Sequence, residues 1–268
     1  MAPQEQSVIR SRSNMLVRRL RELKARASRE LVLLEGSRLV AEALAARVEI
    51  LEAAVSPRFR DSQRGRRVLR SLEGCGVAPR TVAEDVLASL SELETGEGVL
   101  AIGRRPRFSE AQIYQGVPLV LVAAGIQNPG NLGGLLRTAE AAGSSGAYLT
   151  QGSADPLSWK SLRGSMGSAL RLPHLTGTRL PEILARLKAR GVKSVAAVPR
   201  APRSYLQLDL RGPTALVIGG EGSGLDADTL KGVDLQVSIP MHGPVESLNV
   251  GVAAGILLFE AARQRASK

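Results

Sequence analysis

The chain has 268 residues, 44% of them hydrophobic, which suits two domains at roughly 100–200 residues each with cores built from aliphatic side chains. Aromatic residues make up only 3% and Cys75 is the single cysteine, leaving little for stacking on bases and excluding a disulfide framework or a thiolate metal cage. The 36 Lys and Arg against 25 Asp and Glu give a formal charge of +11, and Arg dominates, so a polyanion with phosphate groups, nucleic acid before membrane surface, is the expected partner.

In chain order, residues 14–30 place Leu16, Leu20 and Leu23 at helical spacing, with Arg18, Arg19, Arg21, Lys24 and Arg26 on the other faces. This predicts a basic amphipathic helix, and Arg10 and Arg12 extend its charge upstream. Arg12, Arg18 and Lys24 are therefore candidate nucleic-acid phosphate contacts, with a merely solvated charged face as the alternative. A strand over 31–36, a helix over 37–46, a strand over 49–56 and a polar Arg-rich segment through 70 follow. The turn GCGVAP, a helix near 84–91 and a strand ending at Gly103 complete a small α/β domain, 1–105.

Residues 106–116 have linker composition. Beyond them the alternation restarts: strand 117–124, loop 125–133, helix 134–143, strand 147–150, a long loop, a helix over 181–191 and strands over 192–198 and 214–220. A loop over 221–225, a short helix, a strand over 235–240 and a terminal helix complete the chain. Near-continuous apolar strands separated by helices predict a parallel sheet covered on both faces, spanning 117–268. No apolar signal core opens the chain and no apolar run reaches the roughly 18 residues of a membrane span, so a soluble cytoplasmic protein is expected. With only His174 and His242 as imidazoles and no HExxH spacing, no metal is expected.

Three loops follow the carboxyl ends of strands, the edge where open α/β sheets bind ligands. In the first, Gly125 to Gly134, Asn131 precedes a helix carrying Arg137, and both are expected to face the strand ends. An Asn-Pro-Gly turn with a capping Asn and a surface Arg is the alternative. In the second, Gly222, Gly224 and Ala227 match GxGxxA, but Glu221 and Asp226 put carboxylates where a pyrophosphate needs bare N–H groups, which argues against a dinucleotide. In the third, Ser247-Leu248-Asn249 enters a helix rich in small residues, Gly251, Ala253, Ala254 and Gly255, open to reading as an interface or as a tightly packed core helix.

In order, NxxNLGxxLRTAEAxG, LVIGGEGSGL and IPMxxxxESLNVxVAxGILLFEA resemble the SpoU (TrmH) family of RNA ribose 2'-O-methyltransferases, of the SPOUT superfamily, over residues 117–268. The stretch from Asp155 through Lys160, Arg163 and Gly167 resembles the family's loop between its first two motifs, and Leu34 to Val40 is similar to a ribosomal-protein-like RNA-binding domain. The resemblance implies a carboxyl-terminal trefoil knot and S-adenosylmethionine as methyl donor, with Gly219, Ile239 and Leu248 holding its adenosine part and Gly220 and Met241 lining the same pocket. It implies a catalytic set of Asn131, Arg137, Glu221, Ser247 and Asn249, RNA contacts at Lys160 and Arg163, and a homodimer. Because a guanidinium is a poor base, binding of the adjacent phosphate is the physically safer role for Arg137. Ribosomal RNA of the 23S type is the expected substrate; a tRNA ribose methyltransferase and a non-catalytic RNA-binding or ribosome-assembly protein are the alternatives.

Overall fold

The computed structural model describes residues 8–91, 97–220 and 224–266. The chain divides into two compact units, one of Met1–Pro106 with Leu157–Trp159 and one of Arg107–Pro156 with Lys160–Lys268.

In the first unit, α1 (Met15–Ala25) starts where Asn14 accepts a hydrogen bond from the Leu16 amide, and it buries Leu16, Val17 and Leu20. It stops five residues short of the sequence expectation. The Ser28 hydroxyl accepts from the amides of Glu30 and Leu31 (3.2 and 3.1 Å), turning the chain into β1 (Leu31–Glu35). After α2 (Ser37–Ala45) and β2 (Ile50–Val55), the segment read from sequence only as polar and Arg-rich forms two helices, α3 (Pro57–Asp61) and α4 (Gln63–Gly74). Its arginines mask a regular pattern. Ser56 and Ser62 cap the two helices by accepting from the Phe59 and Gly65 amides, and Val68, Leu69 and Leu72 make a buried stripe. The short β3 (Arg80–Thr81), α5 (Glu84–Ala88) and β4 (Val99–Arg104) complete a four-stranded sheet ordered β1-β4-β2-β3, antiparallel except for the β2–β3 pair.

Alternation along these strands separates two packed layers. Leu33, Leu100 and Ile102 join Leu16, Val17 and Leu20 of α1 and Val86 and Leu87 of α5 in one core. The intervening Val32, Leu34, Val99 and Ala101 are also buried and face the other side, where α2 and α4 pack together.

The second unit begins with α6 (Glu110–Ile113), inside the segment expected to be a linker; Ile113 is fully buried in that unit's core. Then come β5 (Leu119–Ala124), α7 (Pro129–Ala141), β6 (Gly146–Thr150), α8 (Trp159–Ser165), α9 (Ser168–Arg171), β7 (His174–Thr178) and α10 (Leu180–Ala189). They are followed by β8 (Lys193–Ala197), β9 (Thr214–Gly219), α11 (Ala227–Gly232), β10 (Leu235–Val237) and α12 (Val250–Ala266). The strands form one six-stranded, wholly parallel sheet ordered β10-β8-β9-β5-β6-β7. The parallel sheet is as expected, but β7 and the helices α8 and α9 occupy what reads in the sequence as one long loop. β7 escapes notice because HLTGT, on the sheet edge, has no apolar alternation.

The chain leaves β5 toward β6 and β7 on one side, then crosses to β8 and inserts β9 between β8 and β5. The β5/β9 border is therefore the switch point of the sheet, and loops beyond the carboxyl ends of its strands are placed to form a ligand site. At the chain's end, Arg265 donates to the carbonyls of Val117, Pro118, Leu210 and Gly212 (2.7–3.0 Å). Gln264 adds bonds to the Leu208 carbonyl and Leu210 amide, so the last turns of α12 are fixed to the entrances of β5 and β9. Burial pulls the Arg265 guanidinium below its ordinary pKa.

Candidate functional site

Three segments meet beyond the carboxyl ends of β8 and β9 and enclose a cavity of about 470 Å³. From β9 come Gly219 and Gly220. A Cβ on Gly219 would meet the Gly224 carbonyl carbon at 2.7 Å, and one on Gly220 would stand 2.5 Å from the Gly125 oxygen, so both positions demand glycine for space. The turn is closed by the Gly224 amide donating to the Gly220 carbonyl (3.2 Å), with Gly224 at φ +62°. Glu221, expected in the catalytic set, lies outside the described residues.

The second wall is the chain after β10. The Val198 amide donates to Val237, and Ser238 exchanges bonds with the Arg203 carbonyl and Tyr205 amide. Val198 and Pro199 thereby share the cavity wall with Ile239 and Met241. The third wall is Ser247-Leu248-Asn249. The Asn249 side-chain oxygen accepts from the Gly251 amide (2.9 Å) and its carbonyl from Ala253 (3.0 Å), which makes Asn249 the cap of α12. All five residues expected to hold a cofactor, Gly219, Gly220, Ile239, Met241 and Leu248, line this one cavity, as do Ser247 and Asn249. Leu225, Leu230, Val198, Pro199 and Ala253 line it as well; they come from separate segments, and no local pattern in the sequence marks them.

Asn131 and Arg137 do not line the cavity. The helix expected to start at 134 begins at Pro129, because the Asn128 side chain accepts from the Gly130 and Asn131 amides and proline suits the first helical position. Asn131 therefore sits in the first turn of α7 rather than in a loop. Arg137 follows six positions later on the same helix, about 9 Å along the axis and about 120° around it, so the two do not share the face expected of them. Arg137 is exposed and makes no hydrogen bond or ion pair among the described residues.

Lys160 and Arg163 are both exposed, one turn apart on α8. Glycines bring this helix backbone-to-backbone against α7: a Cβ on Gly133 would lie 2.4 Å from the Ser161 oxygen, and one on Gly164 2.9 Å from the Gly130 oxygen. Farther along α7, Glu140 receives both arms of Arg171 (2.7 and 2.8 Å), a pairing that holds its carboxyl below the usual range against the opposing effect of burial. The loop after β5 is fixed in turn, with the Gly125 amide donating to the Thr150 hydroxyl (2.9 Å) and the Ala154 amide to the Ile126 carbonyl (2.8 Å). In the first unit, Arg12 and Arg18 are exposed, whereas Lys24 is partly buried and donates to the Ser91 carbonyl (3.2 Å).

A larger cleft of about 740 Å³ adjoins the cavity, sharing Gly224 and Leu225, and runs along α10 and α11. Its wall mixes Arg179 and Lys188 with Asp226, Asp228 and Asp234, and it contains none of the expected site residues. Apolar and main-chain walls with a few polar groups at one end are what a small-molecule site of about 300–1,000 Å³ presents. The smaller cavity has that character. Among the described residues no cluster of His, Cys, Asp or Glu is arranged to hold a metal, and no helix is long and apolar enough to cross a membrane.

Comparison with known proteins gives two matches along the chain. Residues 118–259 match the SpoU rRNA Methylase family and residues 15–101 the MRM3-like substrate binding domain. The chain is 34% identical to the 23S rRNA (guanosine(2553)-2'-O)-methyltransferase RlmP of Bacillus subtilis, over 90% of this chain and 92% of the relative. Among solved structures it is similar to an RNA 2'-O ribose methyltransferase (TM-score 0.82, 35% identity, 97% of this chain and 100% of that one). It is also similar to the SpoU methyltransferase AviRb of Streptomyces viridochromogenes in complex with AdoMet (TM-score 0.84, 28% identity, 95% and 99% covered).

Proposed function

The chain belongs to the SpoU rRNA methylase family, and from that premise we propose that it methylates a ribose 2'-hydroxyl of structured RNA, 23S-type ribosomal RNA in particular, with S-adenosylmethionine as donor and no metal. The observation that carries this reading is the convergence of Gly219, Gly220, Ile239, Met241 and Leu248 on one cavity with Ser247 and Asn249 among its polar groups. The residues fit the donor: close-packed glycines leave main-chain N–H and C=O groups for an adenine and ribose, and the apolar side chains suit the methylene groups of its methionine part. When bound, S-adenosylmethionine supplies an electrophilic methyl group on a sulfonium sulfur.

The chain's own residues then have to hold the ribose in line with that methyl and keep water out. Ser247 and Asn249 orient polar groups of donor and ribose, and Asn131 at the first turn of α7 serves the ribose. Arg137, exposed and without a protein partner among the described residues, grips the phosphate beside the target nucleotide. Glu221 belongs to the proposed catalytic set. Lys160 and Arg163 on α8 and the basic first unit, which matches a substrate binding domain, take up the rest of the RNA.

Arg137 on α7 does not line the cavity, and a homodimer in which a second copy brings its Arg137 to each site is the arrangement this reading includes. Val252 and Phe259, half exposed at 51% and 52%, give α12 an apolar outer surface suited to that copy. The carboxyl-terminal segment is threaded as a trefoil knot, and the protein works in the cytoplasm, where ribosomal RNA is found. The test is incubation with methyl-labelled S-adenosylmethionine and RNA from cells lacking the gene. Label in 23S rRNA is expected and should fall at least about 10²-fold in Arg137→Ala; label confined to tRNA would overturn the substrate, and no label in any RNA would overturn the activity.

A further inference from the structure

We propose that the outward face of α4, carrying Arg66, Arg67 and Arg70, is a phosphate-binding surface that docks the RNA substrate, an inference that rests on the methyltransferase reading above. Between Pro57 and Gly74 the sequence places six arginines against two carboxylates, Asp61 and Glu73. The Ser62 cap and the buried stripe of Gly65, Val68, Leu69 and Leu72 fix which way the helix faces. At about 100° per residue, Arg67 and Arg70 then point directly away from the core, and Arg66 stands beside Arg70 one turn earlier. All three are exposed.

Two of the other three arginines of the segment are engaged within the fold. Arg60 donates to the Thr81 hydroxyl (2.6 Å), and Arg64 lies 3.8 Å from Glu97. Arg66, Arg67 and Arg70 make no ion pair among the described residues; Arg66 rests on the Asp61 carbonyl and Arg70 on the Arg66 carbonyl (3.3 Å). Like charges three and four residues apart repel across a helix surface and destabilise it, so the cluster is unfavourable for the folded domain alone. A row of phosphates relieves that repulsion and receives the two-pronged hydrogen bonds that guanidinium groups make.

The only aromatic of α3 and α4, Phe59, is buried, so this face offers no platform for bases and reads backbone position rather than sequence. It lies on the opposite side of the first unit's sheet from α1, the helix that the sequence alone singles out. There Arg19 is paired with Glu52 and Lys24 is held by the Ser91 carbonyl, whereas Arg66, Arg67 and Arg70 have no carboxylate partner among the described residues.

The experiment uses the full chain and unmodified 23S rRNA transcribed in vitro, with binding measured over a series of salt concentrations. R66Q/R67Q/R70Q keeps helix propensity while removing the charge. It is expected to weaken RNA binding roughly tenfold or more and to lower the slope of log affinity against log salt by about 0.7–0.9 for each phosphate no longer bound. KM for RNA should rise, with kcat at saturating RNA and affinity for S-adenosylmethionine unchanged. R18Q/R21Q on α1 should weaken binding less, and the single variant R67Q gives the same direction of change should the triple variant fold poorly. Wild-type affinity and salt slope in a folded triple variant that still methylates would overturn the docking face and leave the enzymatic reading intact. RNA binding that depends on α4 in a protein transferring no methyl to any RNA would overturn the enzymatic reading and leave the phosphate-binding face in place.

Discussion

The Cα of Gly220, at the end of β9, packs so closely on the carbonyl oxygen of Gly125, beyond the end of β5, that a Cβ at position 220 would stand 2.5 Å from that oxygen. This close approach joins the loops on either side of the switch point in the sheet, and Gly220 is also part of the cavity wall. Gly220→Ala should therefore push the β9 loop away and abolish S-adenosylmethionine binding while leaving the strands paired. Calorimetry on a variant with wild-type circular dichroism is the check, and unchanged affinity would show that the pocket does not depend on this approach.

Gly133 performs the same service for α8. A methyl group there would lie 2.4 Å from the Ser161 carbonyl and 2.8 Å from the Ser165 amide, both backbone atoms that cannot swing aside. Gly133→Ala should cost about 1–3 kcal/mol, as overpacking does. It should also raise KM for RNA more than it alters affinity for the methyl donor, because α8 carries Lys160 and Arg163 but does not line the cavity. Equal effects on both substrates would argue against α8 as an RNA element.

Arg265 is a clamp of a different kind, with its guanidinium spread over four main-chain carbonyls. Lysine has a single nitrogen and lacks the planar fork, so Arg265→Lys leaves several of these acceptors without a donor. We expect a loss of about 2–4 kcal/mol, read as a lower urea midpoint with an unchanged slope. A loss under about 0.5 kcal/mol would mean that water satisfies these carbonyls equally well.

The Glu140–Arg171 pair sets a pH dependence whose sign follows from the lowered pKa of the carboxyl. The folded state binds this proton more weakly than the unfolded chain, so the stabilisation is complete above the unfolded value of about 4.3 and drains away as pH falls toward the folded value. Both side chains are about one-third exposed, 30% and 32%, which limits the pair to about 1 kcal/mol. Glu140→Gln should lower stability at pH 7 by that amount and lose the difference from wild type as pH falls below the unfolded value and through the lowered folded one, as thermal unfolding across the acid range would reveal.

Much of the cavity is visible in the amino-acid sequence because its wall is written in short contiguous pieces. Gly219-Gly220, Ile239-Pro240-Met241 and Ser247-Leu248-Asn249 each follow a strand or open a helix, and all three pieces converge on one cavity. Where sequence reading fails, composition hides geometry. The arginines of 57–74 obscure the Val68, Leu69, Leu72 stripe of α4, and β7 is a polar edge strand without the alternation by which strands are recognised. The early start of α7 is legible afterwards in Asn128-Pro129, a cap followed by proline. A Gly-rich run suggests a loop, however, and here the glycines serve the close approach of α8. That role depends on a partner helix about thirty residues away in sequence, which no local pattern specifies.

The most direct test of the account is the chemical position of the transferred methyl. Unmodified 23S rRNA is incubated with the protein and methyl-labelled S-adenosylmethionine, then hydrolysed in alkali, which cannot cleave the bond after a 2'-O-methylated ribose. The account predicts that the label is recovered in an alkali-resistant dinucleotide and, after full digestion, in a 2'-O-methyl nucleoside. Label recovered in a mononucleotide carrying the methyl on its base would contradict it.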